Sequence, residues 1–278
     1  MSASRKTVRS ATSTLTAGFL SLFAVVPLLW VLTTSVRTKP EILRDPLGLP
    51  TEFHFGNYVE AWVAGNFSQY FLNSLLVVVP TVAGVLALSL LAAYAFALYV
   101  FPMKRTLFIV LLFGMTVPVG ILIIPLYYQM LSLGLLDSLW AIILPQLALG
   151  IPISTLLLRT FIAELPGDII DAARLDGCGS MALLWRVVFP LSRSAMITLV
   201  ILQFMWIWNQ FLLPVVLIQD RDARTLPTAL SAFLGRYGTD THLLMAGAAI
   251  SFLPVVIIFV IFQKRFIKGI SAGALGSV

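Results

Sequence analysis

An all-helical integral membrane protein with six transmembrane helices, and a helix–turn–helix on one face of the bilayer between spans 4 and 5, is the fold this sequence predicts. Three observations carry that expectation. Of 278 residues, 59% are hydrophobic and only 11% charged, against about 25% charged in an ordinary soluble domain. The mean hydropathy is +0.99, so lipid is the solvent that suits most of these side chains. All 18 Lys and Arg and all 12 Asp and Glu residues lie outside, or at the ends of, six charge-free apolar stretches.

Those stretches are 15–35, 71–99, 107–131, 139–158, 195–218 and 243–262. Each approaches or exceeds the roughly 20 apolar residues that a bilayer crossing needs. An ionised side chain at mid-bilayer costs about 2.5–3.5 kcal/mol, which accounts for the segregation. The first stretch follows Arg5, Lys6 and Arg9, but it is longer than a leader core and no small-residue cleavage site follows. It is expected to be a retained helix. Every stretch contains proline (Pro27, Pro80, Pro118, Pro125, Pro145, Pro152, Pro214, Pro254). Kinks and short non-helical segments are therefore expected where protein or a cavity covers the backbone.

Charge sets the orientation. Arg5, Lys6, Arg9, Lys104, Arg105, Arg159, Arg174, Arg186, Arg193, Lys264, Arg265 and Lys268 fall on one side; Arg37, Lys39, Arg44, Arg221, Arg224 and Arg236 fall on the other. The richer side is expected to be cytoplasmic, with both termini there. Outer loops then span 38–69, 132–138 and 219–241. In the first, Phe55, Tyr58, Trp62 and Phe67 recur at roughly helical spacing, which suits either an interfacial amphipathic segment or ordinary loop packing. The net charge of +6 reports orientation, and without a basic run among stacking aromatics no nucleic-acid partner is expected. The lone Cys178 excludes an internal disulfide framework. His54 and His242 are too isolated for a metal site, and none is expected.

The inner loop 159–194 is long enough to fold. Pro166 and Asp168 are helix-start residues, an acid being favoured at a helix N-terminus. Helical spacing puts Ile169, Ala172, Ala173 and Asp176 along one side. Gly177 and Gly179 are expected to end this helix through left-handed backbone. Ser180 then caps a second helix through Val188 that stops at Pro190. Ala172 and Ala173 would let another surface approach, and Asp171 could pair with an arginine there. The other reading is an amphipathic loop resting on the inner leaflet.

This stretch resembles the signature loop of ABC-importer permeases: Glu-Ala-Ala, three residues, Gly, nine more, then Ile-x-Leu-Pro. Here the pattern is Asp171-Ala172-Ala173, Gly177, then Val187, Phe189 and Pro190. Asp176-Gly177, Trp208-Asn209-Gln210-Phe211 with Pro214, Thr225-Leu226-Pro227, Tyr237-Gly238 and Gly269-Ile270-Ser271-Ala272-Gly273-Ala274 are similar to the carbohydrate-uptake branch. Nearly the whole chain resembles its maltose-transporter-type six-helix permease. Two departures stand out: Asp171 where Glu is usual, and Gln210 where an acid often follows Trp-Asn.

The resemblance implies a multi-pass bacterial inner-membrane subunit that imports a sugar, or a related polyol or glycerol phosphate, by alternating access. It implies a second permease, two ATPase subunits that hold ATP and Mg, and an extracytoplasmic binding protein. No cofactor is expected in this chain. Asp168, Asp171, Ala172, Ala173, Asp176, Gly177, Gly179 and Pro190 would form the ATPase-docking loop. The chain has no Gly-x-x-x-x-Gly-Lys-Ser/Thr loop, so ATP hydrolysis is expected elsewhere and the chain itself is not an enzyme. Tyr127, Tyr128, Gln129, Gln203, Trp206, Asn209 and Gln210 are the in-span candidates for a sugar path, interhelical hydrogen bonding being their other use. The alternative, an ion-coupled or uncoupled secondary transporter, would usually place an ionisable residue inside a span, and none lies there. An intramembrane hydrolase would need a histidine in a span. A purely structural subunit would leave the folded inner loop unexplained.

Overall fold

Buried in hydrocarbon, a backbone must satisfy its own hydrogen bonds, and this chain does so by helix almost throughout. The computed structural model describes the backbone of residues 2–235 and 238–275, and the side chains of 16, 18–20, 22–235 and 239–263. Arg236 and Tyr237 lie outside the described residues. Arg5, Lys6, Arg9, Lys264, Arg265, Lys268 and the 269–274 stretch lie outside those with described side chains.

In chain order the helices are α1 (Ser2–Ser35), α2 (Lys39–Arg44), α3 (Gly56–Ala64), α4 (Phe67–Leu98), α5 (Lys104–Phe113), α6 (Val119–Ser132) and α7 (Trp140–Ala163). There follow α8 (Gly167–Leu175), α9 (Ser180–Leu183), a π-turn (Leu184–Val188), α10 (Phe189–Leu191), α11 (Arg193–Trp208), α12 (Leu212–Leu217), α13 (Leu226–Ala229) and α14 (Thr241–Leu275). One two-residue antiparallel hairpin pairs β1 (Leu234–Gly235) with β2 (Gly238–Thr239).

Gly18–Ser35, Phe67–Leu98, Trp140–Ala163 and Thr241–Gln263 are each long and apolar enough to cross a membrane. A fifth candidate is the bent pair Ser180–Leu191 and Arg193–Trp208. The structure is thus an all-helical membrane protein with four to five candidate spans, and two of the six expected stretches are not continuous helices. The 107–131 stretch breaks between Phe113 and Val119, where Pro118, lacking an N–H, takes the N-cap position of α6 and disfavours helix in the residue before it. The 195–218 stretch breaks between Trp208 and Leu212. There Asn209 Nδ2 donates to the Met205 carbonyl at 2.8 Å, and Gln210 Oε1 accepts from the Leu212 N–H at 3.3 Å. Side chains take the place of backbone partners at that break. By contrast Pro27, Pro80, Pro125, Pro145, Pro152 and Pro254 sit inside helices that continue through them.

The chain forms two units, residues 1–68 with 229–252 and residues 69–228 with 253–278. In the first, the segment after α1 folds back on that helix's end. Arg37 is only 1% exposed, and its Nη2 donates to the carbonyls of Glu41 (3.0 Å) and Asp45 (2.7 Å). Asn57 Nδ2 donates to the carbonyls of Ser35 and Arg37, both at 2.9 Å. Phe67 is fully buried beside Phe233, while Phe55 is exposed. The aromatics of the first outer loop therefore do not form one common face.

In the second unit, buried Val85, Leu90, Ile142, Leu158, Leu199 and Ile201 form much of the interior. Small residues bring helices close: a Cβ on Gly150 of α7 would lie 2.9 Å from Val85 of α4 and 3.0 Å from Gln203 of α11, the packing expected where helices associate in lipid. Asn73 Nδ2 donates to the carbonyls of Asp222 (2.7 Å) and Arg224 (2.8 Å). The Asp137 carboxylate accepts the N–H groups of Gln219 and Asp220. These bonds pin the loop after α12.

Glu41 gives the first unit a pH dependence. Its carboxylate accepts from the Thr51 hydroxyl at 2.6 Å, the Thr51 N–H at 2.8 Å and the Thr38 N–H at 3.3 Å. Chiefly through the Thr51 bonds, its pKa falls from 4.5 to about 2. A depressed carboxylate pKa contributes stability that is complete above the unfolded value and is lost as pH falls through the folded one. Glu41→Gln is expected to lower the melting temperature at neutral pH. That difference should shrink as pH drops from about 4.5 toward 2, measured by thermal unfolding across pH.

Candidate functional site

The loop between α7 and α11 folds as a helix–turn–helix for identifiable local reasons. Pro166 occupies the N-cap of α8 with Asp168 in its first turn, where an anion meets unpaired N–H groups and the positive dipole end. Ile170 and Ala173 are buried, whereas Ile169, Ala172 and Asp176 are exposed and Leu175 is 90% exposed. The exposed face therefore contains Ala172 without Ala173, since Ala173 packs inward beside Ile170's side of the helix. Asp171 lies 3.4 Å from Arg174 Nη1, with both side chains substantially exposed. An i,i+3 pair in water is worth a few tenths of a kcal/mol, so Asp171 is readily exchanged to another cation.

The turn is a left-handed glycine cap. Gly177 has φ +78°, its N–H bonds the Arg174 carbonyl at 3.0 Å, and the Cys178 N–H bonds the Ala173 carbonyl at 3.0 Å. These are the 5→2 and 6→1 bonds of a Schellman motif. Gly179 differs from expectation: with φ −66° and ψ 166° it is the extended N-cap of the next helix. Pro190 also differs, because the helix does not stop before it and continues to Leu191. Proline removes one donor and crowds the preceding turn, and the helix accommodates it by widening over Leu184–Val188, where the Phe189 N–H reaches the Leu184 carbonyl. A π-turn of this kind keeps the axis running where an α-turn would clash.

The second helix is tethered at its start. Tyr94 of α4 donates its hydroxyl to the Ser180 carbonyl at 2.8 Å, and the Tyr99 hydroxyl sits 2.8 Å from that of Tyr94. Lys104 Nζ donates to the Tyr99 carbonyl at 2.7 Å. Arg159 Nε donates to the Phe96 carbonyl at 3.4 Å, and its guanidinium lies 4.6 Å from the centroid of the Phe108 ring. Composition could have flagged these residues only as a polar fringe at the end of an apolar stretch.

The in-span polar candidates divide. Trp206 (64% exposed), Asn209 and Gln210 line an open concavity of about 460 Å³ with Leu202 and Met205, at the break after α11. Tyr127, Tyr128 and Gln129 lie together on α6, with Tyr127 and Tyr128 edge to face. Gln203 is buried, and its Nε2 donates to Ser154 Oγ at 2.9 Å and to the Gly150 carbonyl at 3.3 Å; it joins α11 to α7. Buried Gln146 of α7 was not among the candidates, although a glutamine in an apolar stretch is the signal that would have found it. With Ser74, Gln210 and Thr225 it lines a cavity of about 10 Å³, room for one water molecule.

Residues 86–272 match the family of binding-protein-dependent transport system inner membrane components. The chain is 36% identical over 255 residues to the diacetylchitobiose uptake system permease protein NgcG of Streptomyces coelicolor, covering 91% of this chain and 84% of that one. It is 34% identical over 260 residues to the arabinooligosaccharides transport system permease protein AraQ of Bacillus subtilis, covering 92% of each. In fold it is similar to a chain of a bacterial ABC transporter involved in the import of the acidic polysaccharide alginate, with a TM-score of 0.78 and 22% identity, covering 93% of this chain and 96% of that one. The protein belongs to the binding-protein-dependent transport family and is a multi-pass inner-membrane permease subunit of an ABC importer. ATP hydrolysis belongs to its partner subunits.

Gln203→Ala is expected to remove on the order of 1 kcal/mol by breaking the α7–α11 bond and opening a cavity. The measurement is the melting temperature of the purified transporter beside the uptake KM. A raised KM at unchanged stability would instead place Gln203 on the substrate path.

Proposed function

We propose that this permease moves a sugar, as a mono- or oligosaccharide or a related polyol or glycerol phosphate, into the bacterial cytoplasm by alternating access. The names of the two relatives, a diacetylchitobiose uptake system permease and an arabinooligosaccharides transport system permease, support that substrate class. The proposed topology has six crossings, with α5 and α6 in series forming the third and α11 with α12 forming the fifth. Both termini lie in the cytoplasm, on the side with twelve of the eighteen cations. A second permease completes the channel, an extracytoplasmic binding protein delivers sugar to the outer loops, and two ATPase subunits hold ATP and Mg.

The observation that carries the coupling mechanism is the helix–turn–helix closed by Gly177. Its exposed acids Asp168, Asp171 and Asp176, beside Ala172 and Leu175, present charge and a shallow apolar contact to an ATPase surface. Ala173 packs the loop inward, while exposed Gly179 and Pro190 shape its backbone. Closure of the ATPase pair on ATP would carry the docked loops together and turn the spans outward. Trp206, Asn209 and Gln210, which line the concavity at the fifth crossing, would meet sugar hydroxyls and ring faces there, with Tyr127, Tyr128 and Gln129 as further contacts on α6.

Asp171→Arg puts like charge against a basic docking surface and is expected to cut uptake about tenfold or more, the equivalent of ~1.4 kcal/mol at the joint. Gly177→Pro, which cannot adopt positive φ, is expected to abolish uptake. Both are measured as labelled-sugar uptake beside ATPase activity in reconstituted vesicles, with membrane insertion checked by immunoblot. Normal uptake by Asp171→Arg would overturn the docking role.

A further inference from the structure

Two features place the second helix of the loop at the depth of the lipid headgroups. Its first residue, Ser180, is held by Tyr94, four residues before the end of the long apolar helix α4. Its last residue, Leu191, is one residue short of α11, which starts the next apolar crossing. In the topology proposed above, both ends would therefore lie near the membrane boundary. Ser180–Leu191 is bent 74° from Arg193–Trp208, and membrane-crossing helices tilt on average about 20° from the bilayer normal. A helix at that angle to a crossing one runs close to the membrane plane.

Its side chains suit that position. Leu183, Leu184 and Val188 are buried against the protein. Met181, Trp185 and Phe189, at i, i+4 and i+8, are exposed, with Trp185 52% exposed and its ring 5.5 Å from that of Phe189. Arg186, on this helix, and Arg193, just past the bend, are exposed, and among the described residues neither forms a salt bridge. Aromatics beside arginines are the composition of a helix seated at an anionic lipid surface.

We infer that the helix Ser180–Leu191 is a lipid-bound interfacial anchor, with Met181, Trp185 and Phe189 in the acyl boundary and Arg186 and Arg193 on anionic phosphates. The leaflet is the cytoplasmic one, and that part rests on the orientation proposed above. The anchor would give α8 a fixed base, so that force applied at Asp171 and Ala172 passes to α11 through the bend at Ser192 instead of being lost in rotation of a free loop.

The test uses the assembled transporter in bilayer discs containing phosphatidylglycerol. In a Cys178→Ser background, Met181→Cys, Trp185→Cys and Phe189→Cys are spin-labelled one at a time, with exposed Glu164→Cys as reference. Label relaxation by oxygen, which concentrates in lipid, is compared with relaxation by a water-soluble nickel chelate. The expected result is a several-fold oxygen preference at all three ridge positions and the reverse at Glu164→Cys. A nickel preference along the ridge would overturn the anchor, as would labels shielded from both reagents, the mark of a protein partner. Sidedness is read separately, by impermeant maleimide labelling of Glu164→Cys in inside-out vesicles. Failure there would overturn the proposed orientation and leave the lipid contact standing.

Discussion

Lipid offers no hydrogen bonds, and that constraint organises the molecule. Each N–H and C=O within the hydrocarbon needs a partner from the protein itself, so the apolar stretches become helices and the ionised residues collect at their ends. Where the helix fails, a side chain steps in. Asn209 and Gln210 serve the break in the fifth stretch, and Gln203 with Ser154 locks α11 to α7 nearby. The polar residues that look most like ligands in the sequence are thus partly occupied in holding an interrupted helix together.

The same constraint explains what the sequence revealed and what it concealed. Hydropathy is a property of composition, and it located the helices containing Gly18–Ser35, Phe67–Leu98, Trp140–Ala163 and Thr241–Gln263. It could not show continuity. Apolar residues on both sides of Pro118 and Asn209 read as single stretches, although backbone geometry divides them. Six other prolines of the same appearance leave their helices intact, because the surrounding packing decides whether the freed carbonyl finds another partner. The inner loop was legible to the extent that its bonds are local. Pro166, Asp168 and Gly177 act on neighbours within four residues, whereas the inward placement of Ala173 depends on which face α8 turns to the protein. The tie from Tyr94 to Ser180 spans 86 positions and has no signature in sequence spacing.

The coupling role proposed above would give these parts a common purpose. In that role the permease would receive its energy from the partner ATPase subunits as motion, through a joint stiff in the direction of the push. The Schellman bonds at Gly177 close the turn between the two loop helices. The π-turn lets the second helix run past Pro190 to the bend at Ser192 without a flexible gap. Tyr94 binds the start of that helix to α4. Together they connect an exposed acidic patch to two membrane helices.

Photo-crosslinking from Ala172 tests that connection most directly. An unnatural photoreactive residue placed there, in the transporter assembled in native membranes, contacts whatever occupies the exposed face of α8. The account predicts a covalent product with an ATPase subunit that strengthens or shifts when ATP is added. Products only with lipid or with the second permease, unchanged by ATP, would contradict it and leave the loop without a role in coupling.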